Sequence, residues 1–289
     1  MEGNIGDLKS CLTMDKSLKI GILDNCSIEF LTRVQNKISP EIVFNQYDIV
    51  LIPLWVWYEV EDSHNRVNYI NELRNKSIRI HIVDEKDYSK MVDFKEAELY
   101  YLFLYSCDKI GRLVSFLNRD ILKNRPLEEL EPYEDWLKVF YEQGLDGDEL
   151  SNGRIQKKNA GEISISILSY ILSYYYTDNI STITVFSDDR DAYELISGAN
   201  RKFQDNEWFK NRECTSITFK SNDCLIYEWS QMAYIGEGCL ESFINNYRQA
   251  RRIKFTRKKH DNSVEEVDKV IDNKTFVDML DDMKVHIIF

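Results

Sequence analysis

The sequence predicts an α/β fold: a largely parallel sheet covered by helices on both faces. Three observations predict it. Short apolar runs that fit buried strands occur at residues 19–24, 48–52, 78–83 and 180–186. Stretches with helical spacing lie between them. The 289 residues include only 4 prolines and 11 glycines, so long regular elements are rarely interrupted.

Residues 19–24 read as a buried strand ending on Asp24, and 27–34 as a helix. The run 48–52 leads to Pro53. This proline fits the first turn of a helix, where a missing N–H does no harm, and Trp55, Val56, Trp57, Tyr58 and Glu59 follow in that helix. Residues 67–73 are helical, and 78–83 alternates β-branched residues as a strand does. Over 93–116, Ala97, Tyr101, Leu104 and Tyr105 recur at helical spacing. Two prolines break the chain over 126–132, a helix resumes over 133–141, and the polar stretch 144–159 reads as a loop. From Glu162 to residue 176 the helical signal is strong. Ile163, Ile167, Ile171 and Tyr175 share one face, and Leu168 and Leu172 widen it. A strand at 180–186 ends just before Ser187, Asp188, Asp189 and Asp191, and 192–199 is a helix. Residues 215–219 form a last strand, and the chain beyond Asp223 is expected to be mostly helical.

With 43% hydrophobic and 12% aromatic residues, the chain has the means to build a packed core. No internal repeat is visible. A formal net charge of -12 argues against non-specific coating of a duplex. It leaves a nuclease open, because carboxylates that hold a metal are negative by design. The cysteines at 11, 26, 107, 214, 224 and 239 form no C-x-x-C pair and no zinc spacing, so free thiols in a reducing cytoplasm are expected. Residues 1–17 are too polar for a signal peptide, and no apolar run is long enough to cross a membrane. Histidines 64, 81, 260 and 286 are scattered, which gives no support to a metal-free histidine mechanism.

The acids are better ordered. In open parallel sheets, ligands bind beyond the carboxyl ends of the strands. Asp24 and the Asp188, Asp189, Asp191 group lie there, Glu59 sits in the helix after the second apolar run, and Glu162 opens the long helix. Four segments thus offer a carboxylate to one site. Each acid also has a simpler role. Asp24 can cap a helix, Glu59 can be solvated, Glu162 can favour a helix start, and the aspartate trio can be a capped turn. Trp55, Trp57, His81 and Tyr174 to Tyr176 read as packing residues.

Taken together, these segments resemble the PIN-domain family of metal-dependent nucleases. The resemblance rests on a strand ending in Asp24, an Ile52-Pro53 pair before the helix of Glu59, Glu162 opening an aliphatic helix, and Ser187-Asp188-Asp189-Arg190-Asp191 after a strand. It covers about residues 18–84 and 158–220. After Asp24 this chain has Asn25, Cys26 and Ser27, where the family often has a small residue and then Asn or Ser. The interval from Glu59 to Glu162 is long for a compact PIN domain. The resemblance therefore implies a PIN-like domain over 18–220 with a helical insertion at about 86–157, and a mostly helical extension over 221–289.

The same resemblance implies a metal-dependent endoribonuclease of the toxin or antiviral-defence kind. The acting residues would be Asp24, Glu59, Glu162 and Asp189, with Mg²⁺ or Mn²⁺ on Asp24, Glu162, Asp189 and Asp191. Hard cations take oxygen ligands, and they stabilise phosphoryl charge and activate water. RNA is favoured over DNA because most members of the family cut RNA. An inhibitory or activating protein partner is implied by family habit, and the oligomeric state is left open. Cleavage of DNA, or a catalytically silent interaction subunit favoured by Cys26, are the alternatives. Residues 248–260 form a basic strip, and Arg248, Arg251, Arg252 and Lys254 are its candidate phosphate contacts. Pairing with the acidic tail over 261–282 is the competing role for that strip.

Overall fold

The computed structural model describes residues 5–143, 146–236, 238–259, 261–282 and 284–289. Residues 1–4, Gly144 and His260, named above, lie outside them. The polar N-terminal stretch contains a helix, α1 (Ile5–Met14), which buries Leu8 and Leu12. Strand β1 (Leu18–Leu23) leads into α2 (Asn25–Val34) and a short α3 (Pro40–Phe44). Strand β2 (Ile49–Pro53) ends on the proline, and α4 (Leu54–Val60) begins directly after it. Helix α5 (His64–Asn75) precedes β3 (Ile80–Val83).

Residues 86–157 are mainly helical. They hold α6 (Tyr88–Met91), α7 (Glu96–Ser106), α8 (Gly111–Phe116) and α9 (Tyr133–Phe140). The helix expected over 93–116 starts late, because Asp93 and Phe94 have φ of 54° and 59°. That left-handed region excludes continuous α-helix. The expected loop over 144–159 is partly a hairpin of β4 (Asp146–Glu149) and β5 (Ile155–Lys157).

The long α10 (Ala160–Tyr175) then runs through the core. Strand β6 (Ile180–Phe186), α11 (Arg190–Asp205) and β7 (Ile217–Lys220) complete the main layers. After them come α12 (Asn222–Gln231), α13 (Leu240–Tyr247), β8 (Arg251–Lys258), β9 (Val264–Ile271), α14 (Asn273–Leu280) and β10 (Val285–Ile287). The expectation of a mostly helical C-terminal region is thus corrected. Ile253 and Phe255 alternate inward along β8, and an antiparallel sheet in the order β10-β8-β9 forms around them.

The central sheet has five parallel strands in the order β3-β2-β1-β6-β7. Its central strands are rich in buried aliphatic residues, as expected where helices cover both faces. Gly21 lies where the aromatic residues crowd β1: a Cβ there would sit 3.3 Å from the Phe186 ring and 3.6 Å from that of Tyr47. The tyrosines over 174–176 pack as expected. Tyr174 lies against Phe203 and Phe209, Tyr175 bonds Glu98, and Tyr176 bonds the Met91 carbonyl.

The basic strip is absorbed by the fold. Arg248, 5% exposed, donates to both carboxylate oxygens of Asp223 at 2.9 and 3.2 Å and stacks on Phe276. It therefore cannot reach a phosphate, which corrects the expectation for this residue. Arg251 pairs with Asp188, Arg252 with Asp268, and Lys254 with Glu266. Pairing with acids, chiefly those of β9, is what the strip does in the fold.

Removing one partner of a buried ion pair strands the other charge, whereas an exposed pair contributes little. Arg248→Ala should lower unfolding free energy by about 3–5 kcal/mol, measured by urea denaturation. Arg252→Ala should lower it by less than about 1 kcal/mol.

Candidate carboxylate site

Strands β1 and β6 are neighbours, with β2 and β3 on one side and β7 on the other. The chain order reverses between them. Beyond the carboxyl ends of such a pair, the connecting segments diverge to opposite faces and leave a crevice. Both strands enter helices through an aspartate N-cap. Asp24 accepts the Asn25 N–H at 2.7 Å, and Asp189 accepts the Asp191 N–H at 2.7 Å. The capping role and the expected site role thus fall on the same residues, and the two do not exclude each other, since an N-cap on a strand-end turn lies at the crevice.

A short network ties the two together. Ser187 Oγ donates to Asp24 Oδ2 at 2.6 Å and accepts the Asp189 N–H at 3.0 Å. Cys26 Sγ donates to the same Asp24 oxygen at 3.0 Å and accepts the Asp188 N–H at 3.1 Å. Cys26 thus supplies the polar support for the first acid. Burial, with Asp24 beside it, holds its thiol well above the ordinary range, so it stays a protonated donor.

Glu59 reaches the site from α4. It accepts Asn25 Nδ2 at 3.2 Å and Gln156 Nε2 at 3.1 Å. Gly161 keeps the start of α10 open: a Cβ there would lie 3.3 Å from Val56 and 3.9 Å from Glu59 Oε1. Glu162 follows at once, in the first turn of α10.

Burial is the main reason that Asp24, Glu59 and Glu162 all hold protons more tightly than usual. Their mutual repulsion adds to it. Asp24, Asp189 and Glu59 all act on Glu162, and Asp189 acts on Asp24. The four acids named from the sequence are therefore within electrostatic reach of one another. Asp191 is not with them: its side chain is exposed on α11. That corrects its expected place as a metal ligand. Asp188 is turned away to Arg251, which also bonds its carbonyl at 3.1 Å.

Sequence reasoning missed three polar residues here. Ser187 and Asn25 adjoin named acids, but nothing in their spacing shows that they bridge. Gln156 comes from the β4–β5 hairpin, which the polar composition of 144–159 concealed.

Asn25 Oδ1 is buried with no hydrogen-bond partner. It and the carboxylates form an all-oxygen set, with Arg66 the cation that acts on Glu59, and such a set fits a hard divalent ion such as Mg²⁺ or Mn²⁺. Among the described residues, no three His, Cys, Asp or Glu side chains lie close enough to form a ready-made metal cage.

Glu162 generates a pH dependence. Its folded form binds a proton more tightly than the ordinary glutamate value of 4.5 allows in the unfolded chain. The stability linked to it is thus present below that value and is lost as pH rises above it. The melting temperature in EDTA should fall from pH 5 to pH 8. Glu162→Gln should raise it by about 2–4 °C at pH 8 and change it little at pH 5. Buried Glu85, pushed up to about 8, leaves a residual slope of the same sign in that variant.

Family models, curated proteins and solved structures were all compared with the chain, and none matches.

Proposed function

We propose that this protein is a divalent-metal-dependent phosphodiesterase that cleaves nucleic acid, RNA in preference to DNA, as the PIN-like resemblance implies. One observation carries the reading: acids from four chain segments lie within electrostatic reach of Glu162 near the switch point of a parallel sheet, and Asn25 beside Asp24 has an unpartnered amide oxygen. Carboxylates that repel one another in partial burial are stabilised by a cation. Asp24, Glu162 and Asp189 would hold the ion, with Asn25 Oδ1 as a further oxygen. The ion, when bound, supplies charge to balance the phosphoryl oxygens and to activate water. Glu59 is oriented by Asn25 and Gln156 and has a raised proton affinity, which suits it to take the proton of the attacking water. Ser187 and Cys26 hold Asp24 in place. Toxin or defence use, and restraint by a protein partner, belong to the same proposal and rest on family habit.

A second reading is a catalytically silent interaction subunit. It is favoured by the ion pairing of Arg251, Arg252 and Lys254, which commits the strip's candidate phosphate contacts to acids of the fold. Calorimetry with Mn²⁺ separates the two, since a silent subunit has no need of the ion.

Labelled tRNA, mRNA and single-stranded DNA should be incubated with Mg²⁺, Mn²⁺ or EDTA. Cleavage of RNA that needs the metal is expected. Asp24→Asn and Asp189→Asn should each lower the rate at least about a hundredfold, with the fold intact by circular dichroism. Full cleavage by both variants would refute the proposal.

A further inference from the structure

Beside the carboxylate site lie two adjoining cavities. The nearer, about 400 Å³, is lined by Glu59, Gln156, Arg154, Trp55, Tyr58 and Lys157. The farther, about 550 Å³, shares Trp55, Tyr58 and Lys157 with it and reaches Glu85, Leu137 and Tyr141. The two cavities therefore adjoin along Trp55, Tyr58 and Lys157. The wall there is aromatic: Trp55 lies 4.7 Å from Tyr141 and 5.5 Å from Tyr58, centroid to centroid. Glu85 is an unusual lining residue. It is 3% exposed, Ser164 and the Trp55 backbone hold its carboxyl, and its Oε1 has no hydrogen-bond partner.

From this geometry we infer that the farther cavity takes an unpaired base of the strand whose backbone meets the carboxylate site. A flat ring fits between aromatic and aliphatic walls, and base–aromatic stacking tolerates any base. The orphaned Glu85 oxygen calls for an N–H donor. Every nucleobase carries one on its Watson–Crick edge, and pairing in a duplex hides it. The cavity therefore selects single strands. Four lysines and four carboxylates besides Glu85 line it. Their charges balance, so the base and not the phosphate is what it recognises.

The inference rests on the proposed nuclease reading, and the test keeps the two apart. Binding is measured by calorimetry in EDTA with AMP, N6,N6-dimethyl-AMP and ribose 5-phosphate. Single-stranded and duplex oligonucleotides of one sequence form the second arm. AMP and the single strand should bind, and ribose 5-phosphate and the duplex should not. Dimethylation should weaken AMP binding about tenfold, because it removes the donor. Glu85→Leu should abolish that difference, and Trp55→Ala should weaken both ligands, each variant being checked by circular dichroism. Equal binding of ribose 5-phosphate, no binding of AMP, or indifference to both substitutions overturns the inference. So does binding of AMP without binding of the single strand, which would make the cavity a free-nucleotide site. Metal-dependent cleavage that ignores both variants counts against the cavity alone. Base binding without cleavage counts against the carboxylate site alone.

Discussion

Four carboxylates held near one another, three of them partly or fully out of water, repel each other and lose hydration, and the surrounding structure must compensate for both. The compensation is local and specific. Asp24 is met by a backbone N–H, a hydroxyl and a thiol. Glu59 is met by two side-chain amides. Asp189 is met by the first turn of α11. Glu162 has the weakest support of the set, and its proton affinity rises accordingly. A cation would relieve all four at once, which is the physical basis for proposing that the group is a site and not four separate caps.

The C-terminal region contributes to the same electrostatic arrangement. Arg251 pairs with Asp188, the residue between Ser187 and Asp189, and lies 3.8 Å from Asp223. Asp223 in turn holds Arg248 at the edge of the second sheet. Burial pushes the Asp223 carboxyl up while Arg248 pulls it down. The turn that presents Asp189 is therefore tied to the antiparallel sheet through an aspartate–arginine chain. Much of the strip's positive charge serves this bracing and the ladder to β9, where Lys254 faces Asp268 and Arg257 faces Glu265 in register.

The places of Asp24, Glu59, Glu162 and Asp189 in the fold were legible in the sequence because they follow directly from element boundaries: the end of a strand, the body of the next helix, the start of a helix, the end of another strand. The parallel sheet was legible because each of its runs carries a β-branched or aliphatic stretch, most continuous in β2 (Ile49–Pro53). Asp191 was misjudged because an N-cap at Asp189 sends the following residues onto the helix surface. Strand β8 did carry a period-two signal in Ile253 and Phe255, but the density of basic residues around them suggested a charged helix face. Strand β9 had less to show: only Ile271 is buried along Val264–Ile271, so its register comes from pairing with β8 and not from its own pattern. The hairpin that brings Gln156 to Glu59 is equally polar.

Helix α4 connects these features. Its first turn carries Trp55, whose backbone holds Glu85 and whose ring lines both cavities. Glu59 follows four residues later, about 6 Å along the axis and near the same face. Both residues are fixed by the same short element, seated between β2 and α10. On the proposed reading, the distance between the base that is held and the bond that is cut is set by one helical turn, and so by the backbone itself. The helical residues 86–157 then have a physical role. They supply Glu85's neighbour Tyr133, the cavity wall at Leu137 and Tyr141, and the hairpin that orients Glu59. A strand end and two helices are enough to gather carboxylates. Selecting which strand reaches them requires a wall beside α4, and this segment builds it.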